Sequence, residues 1–385
     1  MLPFEDITIL DFSQRLPGPY CSAILADLGA DVLMVERAGF PPETRKVFPG
    51  LFELVNRNKK SMTLNLKNPE GQSIAQGLIG RADVLIEEFR PGVAERLGIG
   101  YDRAREINNR IIYCSISGFG QSGPYRDRVG HDVNYLSLSG ILSIPGQPEK
   151  PPSRPGIPLV DLASGMFAAI SIMASIRRRE KNGEGERIDV SMFDAMISWM
   201  STRAGRTLVY GEEAGDEHLS PLNNVYETKD GKKISLGILE QHFWENFCRS
   251  IGQGELLRDP RFSNPAERKG HEKILLDKLR EVVSSRTLSE WEEILDWRQV
   301  PYAPVRDMVE ALEDPHVKAR GIVEEINGGE ALGTIREVLF PVGFSGFDRA
   351  IRRPPPKWGQ HTEEVLRGLG FTDEQILSLK ERGVI

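Results

Sequence analysis

The sequence predicts an α/β protein built on a parallel sheet, joined to a smaller α+β domain. Three observations carry that expectation. The runs Ile7–Phe12 and Asp31–Glu36 are strand-like and bracket one helical stretch, which makes a β–helix–β unit. The alternation of strand and helix then continues to about residue 210, and beyond Gly211 the character changes to an acidic loop, a hairpin and a series of helices. A chain of 385 residues, 39% of them apolar, is also long for one domain and suggests about two.

The elements follow in order. Pro17 and Pro19 stand near the start of the first helix and Gly29 at its stop. The turn before it, Ser13 to Pro19, holds a single glycine, so the dinucleotide-binding glycine fingerprint is absent. Ser61–Leu66, Ala82–Phe89 and Ile111–Ser117 read as further strands, with helices opening at Pro69 and ending near Gly98. Gly118–Arg128 is a Gly/Pro-rich loop off the carboxyl end of a strand, where ligands sit in alternating folds. A proline-rich linker, 146–158, leads into the small-residue helix LVDLASGMFAAISIMASIRRR, with Asp161 at its start. Arg177–Arg179 suit its C-terminal dipole. Arg187–Val190 reads as a strand and Ser191–Leu208 as one helix.

The segment GEEAGDEHLSP is the candidate boundary. NVYETKDGKKISLGI is a hairpin turning at Asp230-Gly231. Helices follow at about 242–251, 271–284 and 288–297, the last begun by a capping box of Thr287 with Glu290. Ile322–Glu325 and Thr334–Leu339 read as strands, and the tail holds two helix patterns, the second capped by Thr372 with Gln375. The expected domains are 1–210 and 222–330; the family resemblance given below implies that 340–385 returns to the first.

A formal net charge of −7 argues against nucleic acid as the main partner. Cys21, Cys114 and Cys248 are too few and too dispersed for a disulfide framework or a zinc site. No run of 18 apolar residues occurs, and the acidic start MLPFEDITIL lacks a signal peptide's basic region. The expectation is a cytoplasmic protein with no membrane partner.

Chemistry concentrates at GHDVNYLSLSG, Gly130–Gly140. Gly130 permits a sharp turn, Leu136, Leu138 and Ile141 can face a core, and His131 and Asp132 stand at a helix start. Free backbone N–H groups there favour negative charge, so a general base lies beside anion-stabilising donors. The plainer alternative is a helix cap, with Asp132 as the N-cap and His131 merely adjacent.

Long uninterrupted stretches resemble the family III CoA-transferase superfamily (CaiB/BaiF type) and, within it, the α-methylacyl-CoA racemases. They are Leu10–Pro19, LGADVLMVER, NRNKKSMTLNLKNPEG, EEFRPGVAERLG, SISGFGQSGPY, the GHD motif and GEGERIDVSMFDA. The resemblance implies a large Rossmann-like domain with a parallel sheet, a smaller α+β domain and an interlocked homodimer. It also implies an acyl-CoA substrate, no metal, and no cofactor beyond the coenzyme A carried by the substrate.

The same resemblance assigns residues. His131 and Asp161 would act as base and acid on opposite faces of the carbon beside a thioester, with Glu240 orienting the imidazole. Asn134 and Tyr135 match the racemases as well. Backbone N–H groups near Asp132 would hold the enolate oxygen. Arg37, Lys67 and Arg96 would meet coenzyme A phosphates or adenine, and Gln14, Arg15, Leu16, Leu64, Glu88 and Phe89 would line the nucleotide cleft. The expected activity is therefore interconversion of (2R)- and (2S)-2-methylacyl-CoA by proton transfer. The alternative is a CoA-transferase with Asp161 as nucleophile. Branched fatty acyl, bile-acid, aryl-propionyl and small dicarboxylic acyl groups all stay open.

Overall fold

A computed structural model describes residues 1–213, 215–216, 218–328 and 333–385; part of the candidate boundary GEEAGDEHLSP lies outside them. The chain divides into two compact units. The first comprises Met1–Ile141, Pro155–Thr202 and His316–Ile385, and the second Leu142–Arg154 and Arg203–Pro315.

The first unit holds a six-stranded parallel sheet. Its strands are β1 (Thr8–Asp11), β2 (Asp31–Arg37), β3 (Lys59–Leu64), β4 (Val84–Glu87), β5 (Ile112–Ser117) and β6 (Glu186–Ser191), in the order β3-β2-β1-β4-β5-β6. This is the doubly wound arrangement, in which strand order reverses between β1 and β4. The central strands are apolar because both faces are covered; β4 is buried at every position. The edge strand β6 instead alternates charged and apolar residues, ERIDVS, which blunts an open edge.

The other edge, β3, is covered by the C-terminal segment. Ser61 N–H donates to His361 Nδ1 at 3.1 Å, His361 N–H returns to Ser61 O at 2.8 Å, and Thr63 N–H donates to Thr362 Oγ1 at 3.0 Å. Two tail helices, Thr362–Gly368 and Asp373–Glu381, bury Leu366, Ile376 and Leu379 in the sheet's core cluster. The Thr372–Gln375 capping box forms as the spacing predicts.

The small-residue stretch forms one helix, Leu159–Asn182. By length and composition it could cross a membrane, since an 18-residue window has a mean hydropathy of 1.8. Half of that window is buried inside the protein, as in a core helix. Gly165 explains its seat. A Cβ there would stand 2.6 Å from Pro17 O and 3.0 Å from the Tyr20 ring, so only glycine lets this helix meet helix Pro17–Asp27 so closely.

The second unit holds β7 (Asn223–Glu227), β8 (Lys233–Gly237) and β9 (Tyr302–Pro304) in one antiparallel sheet. Helices pack Trp244, Phe247, Phe262, Leu279 and Trp291 into its core. The Thr287–Glu290 capping box is present.

Three expectations need correction. Ser191–Leu208 is two helices, Met192–Met200 and Gly205–Tyr210, interrupted around Ser201–Ala204. Leu138 is 38% exposed while Leu136 is fully buried, so the helix after His131 turns a narrower face inward. The hairpin β10 (Val323–Asn327) and β11 (Thr334–Val338) belongs to the first unit, whereas the expected small domain ran to 330. Glu337 on β11 is buried and lies 3.6 Å from Arg57 of the same unit.

Candidate active site

The reversal of strand order leaves a crevice at the carboxyl ends of β1 and β4, the place where doubly wound sheets take ligands. Two short segments enter it: Ser13–Leu16 after β1, and Glu88–Arg90 after β4. A cleft opens beside the first, walled by Gln14, Arg15, Leu16, Met34, Phe48 and Phe52.

Buried charge holds the first segment. Asp11, the last residue of β1, accepts Ser13 N–H at 2.9 Å and the Ser13 and Ser22 hydroxyls. Lys59, with no exposed surface, lies 3.8 Å from Asp11 and donates to Pro19 O and Asn56 Oδ1, each at 2.8 Å. Burial pushes the Lys59 ammonium down to about 8, against the pull of Asp11. Sequence reading passed over this pair. A charge ending the apolar run ITIL was its one visible sign.

Asp161 stands in the first turn of helix Leu159–Asn182, part-buried. Burial pushes its carboxyl up to about 6, the neighbouring Asp132 carboxylate pushes the same way, and Arg15 pulls it down. Asp132 is buried and its Oδ2 accepts Val160 N–H at 2.9 Å. That bond sets the chain at His131 beside the chain at Asp161. Tyr135, on the next turn of helix Asp132–Leu138, is buried edge-to-face against Phe119 at 5.2 Å. Burial raises its phenol, and Asp161 raises it further.

His131, not Asp132, is the N-cap residue: its N–H donates to Asn134 Oδ1 at 2.9 Å and its side chain is exposed. The stabilising role expected near Asp132 meets a different geometry. Its carboxylate is an acceptor bound to Val160 N–H, and its charge opposes negative charge on Asp161.

The expected coenzyme residues fall in three places. Gln14, Arg15, Leu16, Glu88 and Phe89 gather at the crevice, Phe89 packing partly on the sheet's core. Glu88 directs both carboxyl oxygens at the turn beside it: Oε1 accepts Gln14 N–H at 2.6 Å and Arg15 N–H, and Oε2 accepts Gly18 N–H at 3.3 Å. Arg37, Lys67 and Arg96 are exposed, Arg37 lying over the Phe40 ring at 4.5 Å. Leu64, expected in the cleft wall, is 2% exposed and packs in the core cluster, so its side chain is spent on the sheet. Glu240 lies in the second unit, exposed at the N-cap of helix Gln241–Ser250.

The family model of CoA-transferase family III matches residues 4–362. An acyl-CoA transferase of Fusarium pseudograminearum is 35% identical over 400 residues, covering 98% of this chain and 87% of that protein. The succinyl-CoA:glutarate CoA-transferase of Homo sapiens is 33% identical over 398 residues, covering 100% and 90%. A crystal structure of a CaiB/BaiF family protein from Brucella suis superposes with a TM-score of 0.85 at 27% identity, covering 96% of this chain and 99% of that one.

Proposed function

This chain belongs to CoA-transferase family III, and we propose that it moves coenzyme A between carboxylic acids with Asp161 as nucleophile. The observation that carries the reading is the part-buried Asp161 carboxyl, held near pH 6 and within the field of Arg15. Both curated relatives described above are named transferases, which favours transfer over the expected racemisation.

The steps balance without metal, redox partner or net proton. An Asp161 carboxylate oxygen attacks the donor thioester carbonyl; the C–S bond breaks and coenzyme A leaves as thiolate, giving a mixed anhydride. The thiolate attacks the Asp161 acyl carbon and releases the donor carboxylate, leaving an aspartyl thioester. The acceptor carboxylate attacks that thioester, thiolate leaves again, and its attack on the acceptor's acyl carbon restores Asp161. A carboxyl near 6 is ionised at neutral pH yet more basic than an ordinary aspartate, which suits a nucleophile.

Small dicarboxylic acids are the favoured substrates. The human relative is named for two of them, and among the described residues the Arg15 guanidinium forms no ion pair, leaving it available to a substrate carboxylate. The test supplies succinyl-CoA with a panel of dicarboxylic acids in deuterated water. The expected result is a new acyl-CoA without α-deuteration, retained in His131→Ala. Deuterium at the α-carbon that depends on His131, with no transfer to any acid, would overturn the reading and favour the racemase.

A further inference from the structure

The turn from Ser13 to Gly18 is gripped from two sides by carboxylates of neighbouring strands. Asp11 holds Ser13, and Glu88, just past β4, holds Gln14, Arg15 and Gly18 through their backbone N–H groups. The grip follows from the sequence. Pro17 and Pro19 have no N–H, so Gly18 supplies the donor between them at the start of helix Pro17–Asp27. Gly18 also admits the fold of the turn, because a Cβ there would stand 2.2 Å from Ser13 Cβ and 3.1 Å from Glu88 Oε2.

Both Glu88 oxygens are thus directed at protein backbone, and one of the N–H groups they hold belongs to Arg15. Arg15 in turn lowers both Asp161 and Tyr135. We propose that Glu88 is a positioning residue, which fixes the β1 turn so that the Arg15 charge acts on Asp161 and its carboxylate substrate. Glu88 serves the reaction through Arg15 and does not itself read the coenzyme. Burial pushes the Glu88 carboxyl up to about 7 and Asp11 adds to this, while the three N–H groups oppose it; a carboxyl kept at that site against burial is one the turn uses. The inference rests on Asp161 as the nucleophile.

The test is a double-mutant cycle in the full-length protein with Glu88→Ala, Arg15→Ala and the pair. Each single variant is expected to lower kcat by about 10–100-fold, the cost of misplacing a positioned group. The pair is expected to be no slower than the worse single variant. Coenzyme A binding by calorimetry should stay within about twofold in Glu88→Ala. The acid limb of kcat against pH should move to higher pH in both, because Arg15 no longer offsets the burial of Asp161 and the Asp132 charge. Glu88→Gln, whose amide oxygen can accept the Gln14 and Arg15 N–H groups, should recover most of the rate. Should Glu88→Ala fail to fold, Glu88→Asp carries the same cycle, being too short to reach Gln14, Arg15 and Gly18 together. Multiplicative losses in the pair, or weakened coenzyme binding at unchanged kcat, would overturn the proposal. Failure of the nucleophile reading would show separately, as no covalent label on Asp161 in the unaltered protein.

Discussion

The two units treat charge in opposite ways. The first buries Asp11, Glu36, Lys59, Glu87, Asp132 and Glu337, each at most 7% exposed, and brings Asp161 and Glu88 partly inside with them. The second builds its core from Trp244, Phe247, Leu279 and Trp291, and among its described acids and bases only Arg268 is buried. A buried charge costs several kcal/mol and persists only when partners hold it. Asp11 and Glu87 end β1 and β4 and Glu88 stands just past β4, and these carboxyls at the crevice mark where the protein spends stability on chemistry. The second unit spends little, and its one expected site residue, Glu240, is exposed.

Asp161→Asn should lower transfer by about 10³-fold or more, since it removes the attacking oxygen's charge while keeping the shape. The check is steady-state transfer with a thermal melt as the control for folding. Lys59→Met should cost about 3–5 kcal/mol in folding stability, because it strands Asp11 without its buried partner. Urea unfolding reads this directly; a loss below about 1 kcal/mol would mean that the serine hydroxyls alone satisfy Asp11.

The pH dependence sharpens the comparison. Asp161 must be ionised to attack and its carboxyl lies near 6, so transfer should fall as pH drops through about 6. Asp132→Asn removes a negative charge that raises this carboxyl, so the acid limb should move to lower pH. Arg15→Ala should move it the other way. Smallest of all, Glu240→Gln should change transfer by less than about threefold, as befits an exposed cap. A loss comparable to that of Asp161→Asn would show that the second unit contributes directly to the chemistry.

Much of the fold was legible because its signals are local. Apolar runs of four to eight residues mark the sheet strands. Pro17, the Asp230-Gly231 turn and the Thr287 and Thr372 capping boxes mark boundaries where the structure has them. No expectation covers helices Glu43–Val47 and Pro49–Asn56; Pro42 caps the first and Pro49 opens the second, and a proline suits a loop and a helix start alike.

At the site, the resemblance points to Asp161 for the chemistry and to Arg15 and Glu88 as walls of a nucleotide cleft, but it says nothing of how these three act on one another. The grip of Glu88 on the turn links residues 70 to 74 positions apart, and no periodicity reports a contact of that range. Leu64 illustrates the opposite failure. Its segment carries family resemblance, yet the strand's alternation turns this side chain into the core. The plainer alternative of a helix cap puts the N-cap at Asp132, one residue past its place at His131, because side-chain capping preference favours aspartate while the actual Asp132 carboxylate is drawn to Val160 N–H.

The most direct test of the account is covalent trapping at Asp161. The protein is turned over with succinyl-CoA in the presence of hydroxylamine, digested, and mapped by mass spectrometry. The account predicts a hydroxamate on the peptide bearing Asp161, formed only when the acyl-CoA is present. Undiminished turnover with that peptide unmodified would contradict it.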